Sequence, residues 1–156
     1  MERTIQLIIH NVRSAHNVGS LLRSADGMGV SYVYMTGYTP APIDRFGRKD
    51  SRIEKVSLGA ENFIPWEQGI ITNVITSLKG KQFEIVSLEQ TTQSIPLHTY
   101  IPKDHVTLIV GNEINGVSDD ALKESDVVVE IPMYGEKESL NVSNAGSIAL
   151  HHIRHA

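Results

Sequence analysis

The chain has 156 residues, of which 40% are hydrophobic and 21% charged, with a formal net charge of -4 and no cysteine. This composition suits one compact domain spanning 1–156 with a buried core, and it excludes a disordered chain, a disulfide framework and a thiol nucleophile. There is no apolar run long enough to span a membrane and no cleavage pattern of the signal-peptide kind after MERTIQLIIHN, so a cytoplasmic protein is expected.

In chain order, TIQLIIH (4–10) is the first predicted strand, its continuous apolar run implying burial on both faces. A polar turn follows, and Asn17 is the predicted cap of a helix whose Val18, Leu21, Leu22 and Ala25 recur at helical spacing until Gly27 and Gly29. SYVYM (31–35) is a second strand. Residues 37–55, with Gly37, Pro40, Pro42 and Gly47, are expected to be a long loop with a short helix near 50–57. A brief strand is placed at 64–66. A surface helix is placed from Gly69 to Leu78, burying Ile71, Val74, Ile75 and Leu78. FEIVSLE (83–89), VTLIVG (106–111) and VVVEIP (127–132) are further strands. Between the last two, SDDALKE (118–124) starts like a helix capped by Ser118, and the final helix covers 143–155. Strands alternating with helices, the strands nearly uninterrupted in apolar residues, give an α/β fold with a mostly parallel sheet covered on both faces.

Three stretches carry residues suited to chemistry. In Asn17-Val-Gly19-Ser-Leu-Leu-Arg23, Gly19 and Arg23 share a helix face. The glycine allows close approach, and the arginine one turn later offers a fork matched to phosphate. The spacing alone equally describes a capped helix with a surface arginine. In Gly111-Asn112-Glu113-Ile114-Asn115-Gly116, two glycines follow the fourth main strand, where ligands bind in parallel sheets. A plain glycine-rich turn is the competing description. Neither GxxxxGK[ST] nor GxGxxG is present, which weakens kinase, GTPase and ordinary dinucleotide readings. In Ser139-Leu140-Asn141-Val142-Ser143-Asn144-Ala145-Gly146-Ser147, uncharged polar groups stand beside small residues, as in a ligand site or an elaborate helix cap.

Other features are ordinary. His151, His152 and His155 lack a carboxylate at matching spacing and are expected to be surface histidines, with no metal bound. His10 and His16 flank the first turn and are weak catalytic candidates. Phe46, Trp66 and the tyrosines are too scattered to suggest a base-stacking platform. The most basic stretch is 44–55, DRFGRKDSRIEK, which offsets the acidic balance that speaks against a dedicated nucleic-acid binder. By itself it also reads as a salt-bridged surface.

Taken together, NVGSLLR (17–23), LIVGNEINGV (108–117) and IPMYGEKESLNVSNAGSIAL (131–150) resemble the SpoU (TrmH-like) branch of the SPOUT-class RNA 2′-O-ribose methyltransferases. The resemblance runs from the first strand to the last helix. It implies a parallel sheet with a C-terminal deep trefoil knot and a homodimer whose sites draw on both subunits. It implies S-adenosylmethionine as methyl donor, with S-adenosylhomocysteine as product, and a tRNA or rRNA substrate. Carried onto this chain, Leu108, Val110, Gly111, Asn112, Glu113, Gly116, Ile131, Met133, Ser139 and Leu140 line the cofactor pocket. Arg23 is the implied catalytic arginine, with Asn17, Glu113, Ser139 and Asn141 as its polar companions. Arg23, Arg45, Arg48, Lys49 and Arg52 are the expected RNA contacts.

A guanidinium stays protonated, so Arg23 is expected to grip a phosphate and stabilise developing oxyanion charge, with Glu113 and Asn141 holding it or the ribose. Transient deprotonation of Arg23 to act as base is the alternative. The chain departs from larger members in having no sizeable extension on either side of this region, and it has Asn144 where many relatives have alanine. Its size is similar to members acting on the tRNA wobble position. Competing functions are a catalytically inactive adenosylmethionine- and RNA-binding protein of this fold, an RNA base methyltransferase of the same fold, and a non-enzymatic flavodoxin-like module.

Overall fold

The structure is a computed structural model and describes residues 2–156. Seven strands form one sheet: β1 (Thr4–His10), β2 (Tyr32–Thr36), β3 (Trp66–Gly69), β4 (Glu84–Leu88), β5 (Ile95–Pro96), β6 (His105–Val110) and β7 (Val127–Glu130). Their order is β3-β2-β1-β6-β4-β7-β5, and every pairing is parallel. Five helices connect them: α1 (Ala15–Gly27), α2 (Ser51–Ser57), α3 (Ile71–Gly80), α4 (Asp119–Glu124) and α5 (Val142–His155).

The period-two alternation of the strands sorts their side chains between two cores. Leu7, Ile9, Val33, Met35, Val86, Leu108 and Val110 pack with α1, α2 and α5 on one face. Ile8, Tyr34, Ile85 and Ile109 pack with Ile71, Val74, Ile75 and Leu78 of α3 and Ala121 of α4 on the other. Both faces are thus covered, which is why the central strands are apolar without a polar side.

Three local expectations are revised, and one strand is added. The cap of α1 is Ser14, whose hydroxyl accepts from the N–H of Asn17, and Asn17 itself lies inside the helix. The brief strand at 64–66 moves to Trp66–Gly69, because Ile64 is core packing that precedes the edge strand. The helix placed at 69–78 starts two residues later, after the β3 pairing ends at Gly69. The edge strand β5 pairs only Ile95 and Pro96 with β7, too short to leave a pattern.

Gly19 does permit a close approach, but by protein. A Cβ there would stand 2.7 Å from the carbonyl oxygen of Ile53 and 3.0 Å from Cβ of Val56. The glycine lets α2 dock on α1. In a helix, alanine would ordinarily gain about 1 kcal/mol over glycine. Overpacking against backbone costs about 1–3 kcal/mol. Gly19→Ala is therefore expected to destabilise, by up to about 2 kcal/mol in urea unfolding. A stabilised variant would show that the α1–α2 contact yields freely.

Candidate functional site

Three parallel strands that are neighbours in the sheet, β6, β4 and β7, end side by side. Beyond their carboxyl ends lies a cavity of about 400 Å³. A cavity of that size suits a small organic ligand. Its walls come from the last residue of each strand and the segment that follows it: Leu88 to Thr91 at β4, Val110 to Val117 at β6, and Glu130, Ile131, Met133, Ser139 and Leu140 at β7. Val142 and Ala145 of α5, and Asp119 and Leu122 of α4, close it.

The turn after β6 owes its shape to two glycines. Gly111 is packed against backbone, since a Cβ there would lie 2.4 Å from both C and O of Gly116 and 2.5 Å from N of Val117. Asn112 and Gly116 close the turn with two reciprocal backbone hydrogen bonds of 3.0 Å. Gly116 has φ +71, a region that glycine enters without steric cost. The Asn112 side chain is committed to the protein: its Oδ1 accepts from the N–H groups of Ile114 and Asn115, and its Nδ2 donates to the Asn11 carbonyl and the Tyr38 hydroxyl. What this turn offers a ligand is therefore mainly backbone.

Glu89 is a wall residue that the sequence motifs did not single out. Its carboxylate accepts from the N–H of Gln90 at 2.8 Å and of Val117 at 2.9 Å. It lies directly over Gly116, where a Cβ would stand 1.7 Å from its Oε2. Glu89 so ties the β4 wall to the β6 wall.

Nine of the ten residues expected to contact a cofactor line this cavity: Val110, Gly111, Asn112, Glu113, Gly116, Ile131, Met133, Ser139 and Leu140. Leu108 does not. It sits one strand repeat back from Val110, fully buried in the core under α1 and α5. Glu113 and Ser139 of the expected catalytic group are in the wall, whereas Asn17, Arg23 and Asn141 are not.

The three motifs nevertheless converge at the start of α1. Glu113 accepts from the backbone N–H groups of Arg13 and Ser14, at 2.9 and 3.2 Å. Asn141 caps α5 by accepting from the N–H groups of Ser143 and Asn144, and its Nδ2 donates to Oδ1 of Asn17 at 3.2 Å. Gly146, where a Cβ would stand 2.6 Å from Cδ2 of Leu21, lets α5 lie close on α1. Glu113 holds the backbone just ahead of the first motif, and Asn141 holds Asn17 within it; of the expected targets, Arg23 or the ribose, Arg23 is not bonded to either of them. Arg23 is exposed on α1. Among the described residues its guanidinium has no ion-pair or hydrogen-bond partner.

In the basic stretch, Arg48 pairs with Asp44 at 2.9 Å and Arg52 with Asp50 at 2.8 Å, while Arg45 and Lys49 are exposed without an ion pair among the described residues. Hydrogen bonds from the Arg48 backbone, the Phe46 backbone and the Arg48 side chain hold the Asp44 carboxyl below its usual range. The Arg52 side chain does the same to Asp50. Among the described residues no cluster of histidine, aspartate and glutamate is placed to hold a metal ion, and no helix is long and apolar enough to cross a membrane.

His10 is the last residue of β1, as the sequence placed it, and it is buried. Asn11 Oδ1 accepts from the Tyr38 N–H, which leaves Asn11 Nδ2 to donate to His10 Nε2 at 3.2 Å. His10 Nδ1 then donates to Thr36 Oγ1 at 2.8 Å. This network suits a neutral imidazole. Burial lowers the His10 pKa below its usual 6.5, and the charge of Asp120 opposes that only in part. The unfolded chain thus takes up this proton first as pH falls. The His10 contribution to stability is complete above 6.5 and is lost as pH drops through the lower folded value. His10→Gln is expected to flatten this part of the pH profile in denaturant titrations. An unchanged slope would assign it to other groups.

Comparison with known proteins decides the family. The profile of the SpoU rRNA methylase family matches residues 4–151. The chain belongs to that family. It is 31% identical to the 23S rRNA (guanosine-2′-O-)-methyltransferase RlmB of Neisseria meningitidis, over 98% of this chain and 59% of that protein. It is 30% identical to the tRNA (guanosine(18)-2′-O)-methyltransferase of Aquifex aeolicus, over 96% of this chain and 68% of that one. Against relatives of the RlmB kind, the chain spans about three-fifths of their length. Among solved structures, the AdoMet-bound rRNA methyltransferase of Sinorhizobium meliloti superposes with a TM-score of 0.89 at 24% identity, over 99% of this chain and 57% of that one. The TrmH/SpoU tRNA modifying enzyme of A. aeolicus gives 0.84 at 26% identity, over 98% and 76%. These likenesses establish the SpoU/TrmH fold, of which the trefoil knot is characteristic.

Proposed function

We propose that this chain transfers a methyl group from S-adenosylmethionine to a ribose 2′-hydroxyl of tRNA or rRNA. The observation that carries this is the convergence of the second and third SpoU motifs on one cavity, with Glu113 of its wall holding the backbone just ahead of the first motif and Asn141 bonded to Asn17. The relatives' names supply the chemistry: ribose 2′-O-methylation of guanosine in 23S rRNA and in tRNA.

The cavity suits the donor. Its volume of about 400 Å³, the backbone groups around Gly111 and Gly116, and the apolar Val110, Ile131, Met133 and Leu140 match a ligand with one planar base and one polar chain. When bound, S-adenosylmethionine supplies a methyl group already activated on sulfonium. The protein must then orient the hydroxyl and manage its proton. Arg23, whose guanidinium has no partner among the described residues, is assigned to the phosphate beside the target ribose and to the charge developing on its oxygen. Ser139, in the cavity wall, is assigned to the ribose. Glu113 and Asn141 act as positioning residues for α1. Because Arg23 lies outside the wall of its own cavity, the reading includes a homodimer that completes the site. Arg45, Arg48, Lys49 and Arg52 supply RNA phosphate contacts, and the cytoplasm is the assigned compartment.

The reaction is tested by mapping 2′-O-methylation across tRNA and rRNA from cells lacking the protein. Loss of one site, restored by returning the gene, is expected. An unchanged ribose methylation map would contradict the proposal.

A further inference from the structure

The loop between β2 and α2 carries a feature that its composition did not suggest. Ile43 and Lys49 form an antiparallel bridge, and the five residues between them make a tight tip. Asp44 organises it. Its Oδ1 accepts from the N–H groups of Phe46 and Arg48, each at 2.9 Å, and its Oδ2 accepts from Nε of Arg48 at 2.9 Å. The Asp44 carbonyl accepts from the N–H of Gly47, which turns the chain at φ +77. At the end of this tip stands Phe46, 66% exposed. The guanidinium carbons of Arg45 and Arg48 lie 4.8 and 4.9 Å from its ring centroid. Phe46 and these two arginines form one side of a groove of about 650 Å³, with Lys49, Arg52 and Gln68 also in its wall.

A phenyl ring left in water on a tip held by a network of hydrogen bonds is not there to fill a core. Guanidinium groups lying over a phenyl ring, like the ring itself, are flat groups of the kind on which unpaired nucleobases stack. The cations around them attract the adjoining phosphates in a chain whose overall charge is -4. We infer that the Arg45–Phe46–Arg48 tip is a stacking site for an unpaired nucleobase of the substrate RNA, and that it positions a single-stranded segment on the enzyme. This rests on the proposed RNA substrate and adds to it a contact with a base, where the basic stretch alone would supply only phosphate contacts.

The test uses the full chain, a short single-stranded RNA carrying 2-aminopurine, and bulk tRNA lacking ribose methylation. Binding of the fluorescent RNA is expected to quench 2-aminopurine with the wild type and with Phe46→Trp. With Phe46→Ala the quench is lost and RNA affinity falls roughly tenfold or more, the size of one stacked base. The salt dependence of binding stays unchanged in Phe46→Ala and becomes shallower in the Arg45→Ala, Arg48→Ala double variant. S-adenosylmethionine binding stays unchanged in both. Unchanged RNA affinity in Phe46→Ala would overturn the stacking site while leaving methyl transfer by the wild type intact. A shift in oligomeric state on Phe46→Ala, without loss of RNA binding, would overturn it in favour of a contact between copies of the chain. A wild type that quenches through Phe46 but methylates no ribose would instead remove the proposed reaction.

Discussion

Replacing Gly111 with alanine is expected to weaken binding of the proposed methyl donor while leaving the fold standing. The added Cβ would meet C and O of Gly116 at 2.4 Å and N of Val117 at 2.5 Å, all of them backbone. No side-chain rotation relieves such a contact, so the turn itself must open. Opening breaks the two reciprocal Asn112–Gly116 hydrogen bonds and moves the wall that Gly111 to Val117 give the cavity. Overpacking of this kind costs about 1–3 kcal/mol, which taken from binding is roughly a five- to hundredfold loss of affinity. Calorimetric titration with S-adenosylhomocysteine measures it, with circular dichroism to show that the sheet persists. Affinity equal to the wild type would mean that the turn after β6 is not the ligand's wall.

The second large effect is on rate. Arg23→Ala is expected to lower kcat by roughly a hundredfold or more, the usual consequence of removing one donor that stabilises developing charge. Donor affinity should stay unchanged, because Arg23 lies outside the cavity wall. It is exposed and has no partner within the described chain, so its loss leaves no buried group unsatisfied. Arg23→Lys should recover little, since an ammonium does not reproduce a bidentate grip on phosphate. Single-turnover kinetics with saturating RNA separates the chemical step from binding. A variant with full kcat and weakened RNA binding would make Arg23 a simple phosphate contact.

Much of this architecture is visible in the amino-acid order, and the parts that are not share a cause. Strands such as Ile5 to Ile9 and Val106 to Val110 are legible because both faces of a parallel sheet are covered, which leaves long apolar runs. The cap of α4 is legible because Ser118 stands alone before Asp119 and Asp120. The cap of α1 is not, since Ser14 and Asn17 are both good capping residues and only the tertiary contact of Asn17 with Asn141 separates their roles. Gly19 announces a close approach in either case, and only the fold shows that α2 makes it. The Glu89 wall is missed because nothing in the order of residues says that β4 lies between β6 and β7. Leu108, which the resemblance put in the pocket, lies instead in the core, two residues short of the strand end at Val110. The Phe46 tip is missed for a related reason: Asp44, Arg45 and Arg48 gather around one ring only once the turn has formed.

The most direct measurement is transfer of labelled methyl from S-adenosylmethionine to tRNA and rRNA lacking ribose methylation, with the product digested to nucleosides and separated by mass. Label in a 2′-O-methylnucleoside, absent from the same reaction with Arg23→Ala, is the expected result. Label on a base, or ribose label that survives Arg23→Ala undiminished, would contradict the chemistry assigned to this site.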